Sequence, residues 1–304
     1  MTVFTILKAR RDRGSRAPHG DGASVALAVE GGAMRGVISA GMVSGLEELG
    51  LTDAFDAVYG SSGGAINAAY FLAGQARLGT RVYYEDINSR HFIDFRRALV
   101  GRPVVDLGFL LGEVAMRRKV LDTQRVLTSP TPLSVLATDV DTGSPRVLRG
   151  FGTREALLAA LRAGATMPVV AGPPREIEGA RFLDASLSEP IPVPTAEAEG
   201  HTHVLALLTR SGAMRPRPSA FDRYYVGPRL RRVSPDLASR YLNRAGPYAA
   251  LLRAIDTGRG PLGRAIVAPL RVNGLLIGKL ERDGARLEEG ARAGRDAVVR
   301  AFTA

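Results

Sequence analysis

The 304-residue sequence contains no cysteine, only three lysines and only four histidines. Without cysteine the chain can form no disulfide bond and offers no thiolate to a metal, which is compatible with a reducing compartment. No run of about 18 apolar residues occurs, so the sequence predicts no membrane-spanning helix. The apolar run over residues 1–7 is too short for a signal peptide. We therefore expect a cytoplasmic protein.

The positive charge is unevenly distributed. Residues 1–209 contain 22 basic and 22 acidic residues, whereas residues 210–304 contain 19 and 8, so the last third carries the whole formal charge of +11. A basic face of this kind could hold the protein at an anionic membrane surface, with about 1 kcal/mol from each arginine near the surface. Nucleic acid is the rival partner, but no recognised binding motif accompanies the charge, and we expect no nucleic-acid partner.

Short apolar runs alternate with helical patterns along the chain, which predicts a mainly parallel sheet covered by helices on both faces. Residues 1–22 are expected to form a flexible basic arm ahead of one domain over residues 23–304. Residues 211–233, rich in proline and arginine, are expected to form a mobile flap or a bridge to the helical, basic part 211–304. The expected strands are 25–29, 57–59, 133–138, 146–148, 182–183 and 204–208, and the expected helices are 37–49, 64–76, 153–162, 235–244, 248–256 and 285–302.

A GxSxG motif follows the second expected strand, in the sequence Gly60-Ser61-Ser62-Gly63-Gly64. In this motif a serine lies on a tight turn from strand to helix, and the small flanking residues leave its hydroxyl exposed. The pattern predicts that Ser62 is a nucleophile on an elbow flanked by Gly60 and Gly64.

A second glycine-rich stretch, residues 30–36, follows the first expected strand. Consecutive backbone amides at Gly31, Gly32 and Ala33 would form a place where an oxyanion could be held. One motif thus offers a nucleophile, and the other offers a site for the negative charge that its attack creates. Together the two motifs indicate a serine hydrolase.

A serine nucleophile needs a base, and the histidines are poor candidates. His19 lies in the polar N-terminal arm, and His91 lies in an aromatic-rich stretch that favours a packing role. The order Ser62, Asp184, His203 does reproduce that of an α/β-hydrolase triad. Such a nucleophile follows several strands, however, and the chain before Ser62 has room for one strand and crossover only. His203 also opens an apolar run, which indicates a strand-end residue.

Asp184 is therefore the leading partner of Ser62. It follows Phe182 and Leu183 and precedes small residues, so its carboxylate is expected at a strand end near the serine. The chain here resembles the bacterial branch of the patatin-like phospholipases, a family of serine lipid acyl hydrolases that use a Ser/Asp dyad. The family pattern places an acidic or polar residue before GGGxRG, then GxSxG, then Asp-Gly-Gly or Asp-Gly-Ala. The matching positions are 30–36, 60–64 and 184–186, and further similarity at 160–168 and 280–283 extends the resemblance to about residues 24–300.

The resemblance implies a three-layer α/β/α fold with a mainly parallel sheet and extra C-terminal helices. It implies cleavage of carboxylic esters of lipids, as by a phospholipase A, a lysophospholipase or an esterase, without a metal or other cofactor. Asp184 would accept the proton of Ser62, and the amides of Gly31, Gly32 and Ala33 would hold the oxyanion. The sequence does not indicate the oligomeric state.

Two residues depart from the family pattern. Ala33 stands where a third glycine is usual, and Ala185 stands where glycine usually follows the aspartate. A Cβ at a position of positive φ costs on the order of 1 kcal/mol, although alanine still donates its N–H. Arg35, followed by Gly36, is interpreted as a brace for the loop, with a surface role as the alternative. The alternative for the whole protein is a catalytically weak lipid-binding or regulatory protein on the same fold.

A cofactor site is a weaker alternative. An apolar strand at 25–29, a glycine turn and a helix at 37–49 are also typical of a dinucleotide-binding unit, with Asp53 or Asp56 at the distance of a ribose contact. The second glycine of that fingerprint would fall on Ala33, however, and the interpretation leaves the GxSxG motif unexplained.

Overall fold

The structure, a computed structural model, describes residues 1–210, 218–220 and 222–303. Within them the strands are β1 (Val25–Val29), β2 (Ala57–Ser61), β3 (Leu133–Asp139), β4 (Pro145–Leu148), β5 (Arg175–Ile177), β6 (Ala180–Asp184), β7 (His203–Leu208) and β8 (Ile266–Arg271). They form one sheet in the order β5-β6-β3-β2-β1-β7-β8, and β4 also pairs with β3. The five strands β3, β2, β1, β7 and β8, in this spatial order, are parallel to one another. Strands β4 and β6 pair with β3 in antiparallel orientation, and β5 pairs with β6 in the same way. The expected mainly parallel sheet is confirmed.

Helices follow most of the strands. They are α1 (Val3–Asp12), α2 (Val37–Glu48), α3 (Gly63–Leu72), α4 (Ala76–Glu85), α5 (Thr123–Leu127), α6 (Arg154–Ala165), α7 (Val193–Ala198), α8 (Gly227–Val233), α9 (Pro235–Asn243), α10 (Ala245–Asp256) and α11 (Gly284–Thr303). Short 3₁₀ helices cover Ala33–Gly36 and Phe95–Val100, and π-helical segments cover Phe109–Arg118 and Asp222–Val226.

Alternate residues of the central strands pack into different layers. Val25, Leu27 and Val29 of β1 join a core with residues of α2, α3 and α11. Ala26 and Ala28, which point to the other face, join a second core with residues of α7 and α10. Because successive strand residues point to opposite faces, a wholly apolar strand such as β1 must be covered on both sides. The predicted three-layer arrangement is confirmed.

Helices α2 and α11 lie in direct backbone contact. A Cβ on Gly41 of α2 would lie 1.9 Å from the carbonyl oxygen of Ala291, and a Cβ on Gly294 of α11 would lie 2.2 Å from that of Ile38. Real side chains do not approach backbone oxygens this closely, so both positions need glycine. The C-terminal helix α11 therefore packs tightly against α2, the helix that follows the glycine-rich loop.

The N-terminal segment differs from the flexible arm expected over residues 1–22. Residues 3–12 form α1, in which Val3, Ile6 and Leu7 are buried. Arg10 is also fully buried, and its guanidinium bonds the carboxylates of Asp21 and Asp56. Burial of this basic residue is possible because both carboxylates compensate its charge.

Other differences follow from local backbone geometry. The helix expected at 64–76 is interrupted where Gly74 adopts a φ of 65°, so α3 and α4 are separate. Strands β5 and β8 were not expected; β8 contains Pro269, which a strand tolerates at the border of a sheet. Of the flap expected at 211–233, residues 211–217 and 221 lie outside the described residues, and residues 222–233 are helical.

The contact between α2 and α11 leads to a stability prediction. In Gly294→Ala the new methyl group would overlap the Ile38 carbonyl, so we expect a loss of about 1–3 kcal/mol in the free energy of unfolding. Gly246→Ala, within α10, is the matched control because nothing lies within 4 Å of the added Cβ. Its free energy of unfolding should stay equal or rise slightly. Urea titrations of both variants measure the difference, and equal midpoints would contradict the proposed contact.

Candidate active site

Ser62 lies on a strained turn between β2 and α3. Its backbone has φ 56° and ψ −133°, a conformation that costs a non-glycine residue on the order of 1–3 kcal/mol. Gly60 and Gly64 permit the turn because neighbouring residues pack against them where a side chain would not fit. A Cβ on Gly60 would lie 2.3 Å from the Cα of Ala65, and one on Gly64 would lie 2.3 Å from the carbonyl oxygen of Val29. The structure thus places Ser62 on the kind of elbow that the GxSxG motif predicts.

The sheet brings Asp184 beside Ser62 across 122 residues of sequence. Ser61, at the end of β2, pairs with Leu136 of β3, and the adjacent Ala137 pairs with Asp184, the last residue of β6. The Ser62 hydroxyl donates a hydrogen bond of 2.7 Å to Oδ2 of Asp184. This distance suits proton transfer from the serine to the carboxylate.

The environment of Asp184 makes its carboxylate a stronger base than a solvated one. The residue is only 2% exposed, and its Oδ1 accepts a 2.8 Å hydrogen bond from the amide of Ser186. Burial raises the pKa of Asp184, while the hydrogen bonds from Ser62 and Ser186 and the charge of Lys279 oppose the rise. A raised pKa increases the proton affinity of a base that would otherwise be weak at neutral pH.

The glycine-rich loop packs directly against the elbow. A Cβ on Gly31 would lie 2.9 Å from the Cβ of Ser62 and 2.4 Å from the carbonyl oxygen of Ser61. Gly31, Gly32 and Ala33 line the same cavity as Ser62. Within the described part of the chain, no protein acceptor takes a hydrogen bond from their backbone amides. The three N–H groups are therefore available to a ligand beside the serine.

The two departures from the family pattern differ in their backbone. Ala33 has a φ of 52°, so its Cβ is strained where glycine would not be. Ala185 has no such φ and begins a short helical turn. Of the two substitutions, the structure shows strain at Ala33 alone.

Arg35 supports the loop from inside the protein. It is 5% exposed, and its Nε donates to the hydroxyl of Thr209, which in turn donates a 2.7 Å hydrogen bond to the carbonyl oxygen of Gly31. Burial and the nearby Arg210 lower the pKa of Arg35, while Glu30 opposes this effect. The alternative of a surface role is wrong because the side chain is buried.

Gly36 joins the loop to α3 through hydrogen bonds to its carbonyl oxygen. Ser39 donates to this oxygen at 3.0 Å and Asn67 donates at 2.9 Å. A Cβ on Gly36 would lie 2.7 Å from the hydroxyl of Tyr83, and that hydroxyl donates to the side-chain oxygen of Asn67. The loop and the helix that follows Ser62 are thereby held in one position.

A cavity of about 750 Å³ opens beside Ser62 and Asp184. Its wall is mostly apolar away from the serine. The apolar residues of this wall include Ile66, Val82, Ile87, Phe92, Leu107 and Leu110. A cavity with a few polar groups at one end and an apolar remainder suits a ligand with a long hydrocarbon part.

The histidines lie elsewhere. His203 pairs with Val25 at the start of β1, whereas Ser62 follows the end of β2. The two residues therefore lie at opposite ends of the strands, separated by roughly 13 Å along the strand direction. His201 bonds Ser24 and Tyr59 at the same edge as His203. His19 bonds Ser15, and His91 stacks on Phe109. These positions give a histidine base no support.

The alternative of a dinucleotide site is not supported either. Asp56 accepts hydrogen bonds from Arg10 and from the amide of Val25, at the amino end of the strands. Asp53 pairs with Arg16 on the surface. Dinucleotides bind at the carboxyl ends of parallel strands, and neither carboxylate lies there.

The sequence did not single out Arg210 or Lys279, and it matched Glu30 only as the acidic residue before the glycine-rich loop. Glu30 accepts hydrogen bonds from the Thr209 amide and the Tyr248 hydroxyl, which ties the loop to β7 and α10. Lys279 and Arg210 line the cavity near Asp184. The rarity of lysine in this chain was the one sequence feature that could have drawn attention to Lys279.

Comparison with known protein families matches the Patatin-like phospholipase family over residues 27–197, more than half of the chain. The chain belongs to the patatin-like phospholipase family. At the level of this family the expected chemistry is lipid acyl hydrolysis. Within the described residues, no helix is both long and apolar enough to cross a bilayer.

The sequence identity to individual relatives is low. The Escherichia coli protein YjjU, whose function is uncharacterised, is 27% identical over 201 residues, which are 66% of this chain and 56% of YjjU. The match thus spans little more than half the length of that relative. Among solved structures, VipD from Legionella pneumophila has a TM-score of 0.48 at 12% identity, over 92% of this chain and 66% of VipD. Human GIVD cytosolic phospholipase A2 has a TM-score of 0.44 at 13% identity, over 99% of this chain and 63% of the enzyme.

The hydrogen bond between Ser62 and Asp184 leads to a kinetic prediction. Asp184→Asn keeps the shape but removes the proton acceptor, so turnover of a chromogenic acyl ester should fall by about 10²–10⁴-fold. His201→Ala and His203→Ala, which alter the opposite edge of the sheet, should each retain most of the activity. Circular dichroism establishes that all three variants are folded. If His203→Ala were as inactive as Asp184→Asn, a triad would replace the dyad.

Proposed function

We propose that this protein is a serine acyl hydrolase that cleaves carboxylic esters of lipids through a Ser62/Asp184 dyad. The observation that carries the proposal is the 2.7 Å hydrogen bond from the Ser62 hydroxyl to a buried carboxylate at the wall of an apolar cavity. Membership of the patatin-like phospholipase family supports lipid esters as the substrate class.

In the proposed mechanism Asp184 accepts the Ser62 proton as Oγ attacks the ester carbonyl. The developing oxyanion is held by the amides of Gly31, Gly32 and Ala33, which no described acceptor occupies. Collapse of the tetrahedral intermediate expels the alcohol, which takes the proton from Asp184, and leaves the acyl group on Ser62. Water then attacks the acyl-enzyme with Asp184 again as the base; collapse of this second intermediate breaks the bond to Ser62 Oγ, which takes the proton back from Asp184, and releases the fatty acid.

The position of Ser62 at the start of α3 supports this assignment. The amino end of a helix carries a partial positive charge, which stabilises negative charge that develops nearby. Gly63, the first residue of α3, also lines the cavity. The oxyanion would thus lie between the glycine-rich loop and the end of a ten-residue helix.

The nucleophile is tested by chemical labelling. A fluorophosphonate probe should label Ser62 alone among the serines, because among the described serines of the cavity its hydroxyl is the one paired with a buried carboxylate, whereas Ser219, which bonds Asp222, is exposed. Mass spectrometry of the labelled peptide identifies the site. Labelling that persists in Ser62→Ala would show that another residue is the nucleophile.

The reaction itself is tested with substrates. Wild-type protein should turn over a chromogenic acyl ester and consume particular species in a lipid extract, whereas Ser62→Ala should do neither. A catalytically weak lipid-binding protein is the alternative, and the strained Ala33 is the observation in its favour. Wild-type protein that binds lipid without any turnover beyond that of Ser62→Ala would favour this alternative.

We also propose that the protein is cytoplasmic and makes peripheral contact with anionic membranes. Arg229, Arg231 and Arg232 of α8 are exposed, and among the described residues no carboxylate lies within 4 Å of any of them. Arg229 contacts the backbone and ring of Tyr225, but no described carboxylate compensates the charge of the three arginines, and such charges suit the negative surface of a bilayer.

Apolar residues near the mouth of the cavity support contact with a bilayer. Phe95 lines the cavity and is 55% exposed, and in the same turn Leu99 and Val100 are 87% and 72% exposed. Exposed apolar groups next to a site often mark an interaction surface. A bilayer in contact with this turn would lie next to Phe95, which lines the cavity.

Membrane contact is tested with vesicles. Anionic vesicles should recruit the protein and neutral ones should not. Recruitment should weaken as salt is raised, because at physiological salt exposed charges are screened over about 8–10 Å. Charge reversal at Arg229, Arg231 and Arg232 should reduce activity on anionic vesicles but leave hydrolysis of a small soluble ester unchanged. Cosedimentation measures recruitment. Equal binding of wild type and the triple variant at low salt would contradict a docking role for α8.

A further inference from the structure

A second cavity, of about 810 Å³, adjoins the cavity that contains Ser62. We call the cavity at Ser62 the acyl cavity and the second one the α10 cavity, because residues of α10 form one of its walls. Its other walls are formed by residues 186–190, by α9 and by the segment 261–262. Helices α9 and α10 and the segment 261–262 lie outside residues 27–197, which match the family. Family membership therefore does not specify what the α10 cavity holds.

The wall of the α10 cavity is mostly apolar. Its apolar residues include Leu187, Pro190, Pro247, Leu251, Ala254 and Leu262. Of its polar residues, Ser239 and Asn243 are exposed to solvent. Glu189 is buried, but its two carboxylate oxygens accept hydrogen bonds of 2.9 Å from the amide and the hydroxyl of Thr195. This carboxylate is thus satisfied within the protein, and the cavity offers a ligand mainly contact with hydrocarbon.

The two cavities meet beside the carboxylate of Asp184. Met167 and Ser186 line both cavities, and Ser186 donates its amide to Asp184 at 2.8 Å. Ser62 and Asp184 themselves line the acyl cavity. An ester whose carbonyl carbon lies at Ser62 is therefore next to both cavities.

The proposed mechanism places the alcohol part of the ester at this junction. Asp184 gives the proton to the leaving oxygen, so this oxygen must come within hydrogen-bond distance of the carboxylate. The acyl chain and the ester oxygen are both bonded to the carbonyl carbon and point away from it in different directions. With the acyl chain in the acyl cavity, the alcohol part is directed past Asp184 toward the α10 cavity.

The junction itself is polar. The basic residues Arg210, Arg244 and Lys279 line both cavities, and contact with hydrocarbon alone would leave their charges poorly solvated. The ester groups and the glycerol unit of a lipid suit this polar junction. Hydrocarbon suits the apolar walls on either side of it.

We propose that the α10 cavity binds a second hydrocarbon chain, which is carried by the alcohol part of the ester. The proposal rests on the proposed function and narrows the substrates from lipid esters in general to esters with hydrocarbon on both sides of the scissile bond. A diacyl glycerolipid fills both cavities, whereas a monoacyl lipid leaves the α10 cavity without a chain. The protein is then selective for diacyl lipids and is a poor lysophospholipase.

The proposal is tested with two soluble esters that share an acyl group, ethyl butanoate and hexyl butanoate. Each methylene that is buried on binding raises kcat/KM by up to about fourfold. The ratio of the kcat/KM values, hexyl over ethyl, should therefore be about tenfold or more in the wild type. A ratio near one would overturn the proposal.

Ala254→Trp is the informative variant, because Ala254 lines the α10 cavity but not the acyl cavity. The indole would occupy the space of the second chain, so the ratio of hexyl to ethyl ester should fall close to one. Ala285→Trp, the same substitution at an exposed position of α11 that lines neither cavity, should keep the wild-type ratio. An equal loss of kcat/KM on both esters in Ala254→Trp would overturn the proposal, because it would show a general disturbance of the dyad.

The length of the acyl chain provides an internal control. The ratio of ethyl octanoate to ethyl butanoate reports on the acyl cavity and should be the same in Ala254→Trp as in the wild type. A change in this ratio without a change in the ratio of hexyl to ethyl butanoate would show that the α10 cavity holds the acyl chain, and would overturn the assignment. Circular dichroism establishes that the variants are folded. If Ala254→Trp does not fold, Ala250→Trp, at an exposed position of the same cavity, is tested in the same way.

Binding without turnover separates this proposal from the proposed function. Calorimetry on Ser62→Ala should show that dihexanoylglycerol binds about tenfold or more tightly than monohexanoylglycerol, and adding Ala254→Trp should abolish the difference. Equal binding of the two lipids, or a preference that persists in the double variant, would overturn the proposal. Preferential binding of the diacyl lipid by a wild type that hydrolyses no ester would contradict the proposed function and leave the second binding site intact.

Discussion

The close approach of backbones around Ser62 is the constraint on which the rest of the site depends. The serine keeps a left-handed backbone because Gly60, Gly64 and Gly31 each pack where a Cβ would overlap a neighbouring main chain. The same packing fixes the distance between the hydroxyl, the loop amides and the end of β6. A side chain at any of the three glycines would move the Ser62 hydroxyl relative to the Asp184 carboxylate, although Gly31 alone of the three has a place in the proposed mechanism, through its backbone amide.

The proximity of Ser62 and Asp184, which we propose as the catalytic dyad, could be predicted from sequence because its signals are local. The GxSxG motif specifies a turn by itself, and a short apolar pair ahead of Asp184 specifies a strand end. The register of β2, β3 and β6 then brings the two residues together. Arg210 and Lys279 could not be predicted in the same way. Their position depends on how the C-terminal third folds over the cavity, and in a stretch rich in arginine no local pattern separates a buried cation from an exposed one.

The fold could be predicted where strands are uniformly apolar, as in β1 and β7, because burial on both faces leaves a continuous hydrophobic run. The prediction did not find α1, whose buried face includes Arg10. The ion pairs that permit this burial join residues up to 46 positions apart, so no short window of sequence contains them. Strand β8 was not expected because Pro269 is atypical of strands. Pairing with β7 on one side accommodates it.

The segment that matches the family ends at residue 197, yet the sheet continues past it. Strand β7 pairs with β1, Thr209 bonds the loop carbonyl of Gly31, and α11 covers α2. A chain cut after residue 197 would expose β1 as an open edge strand, with unpaired backbone groups that favour aggregation, and would uncover the apolar face of α2. The last hundred residues thus complete the sheet and its helical cover, and both extend beyond the segment that matches the family.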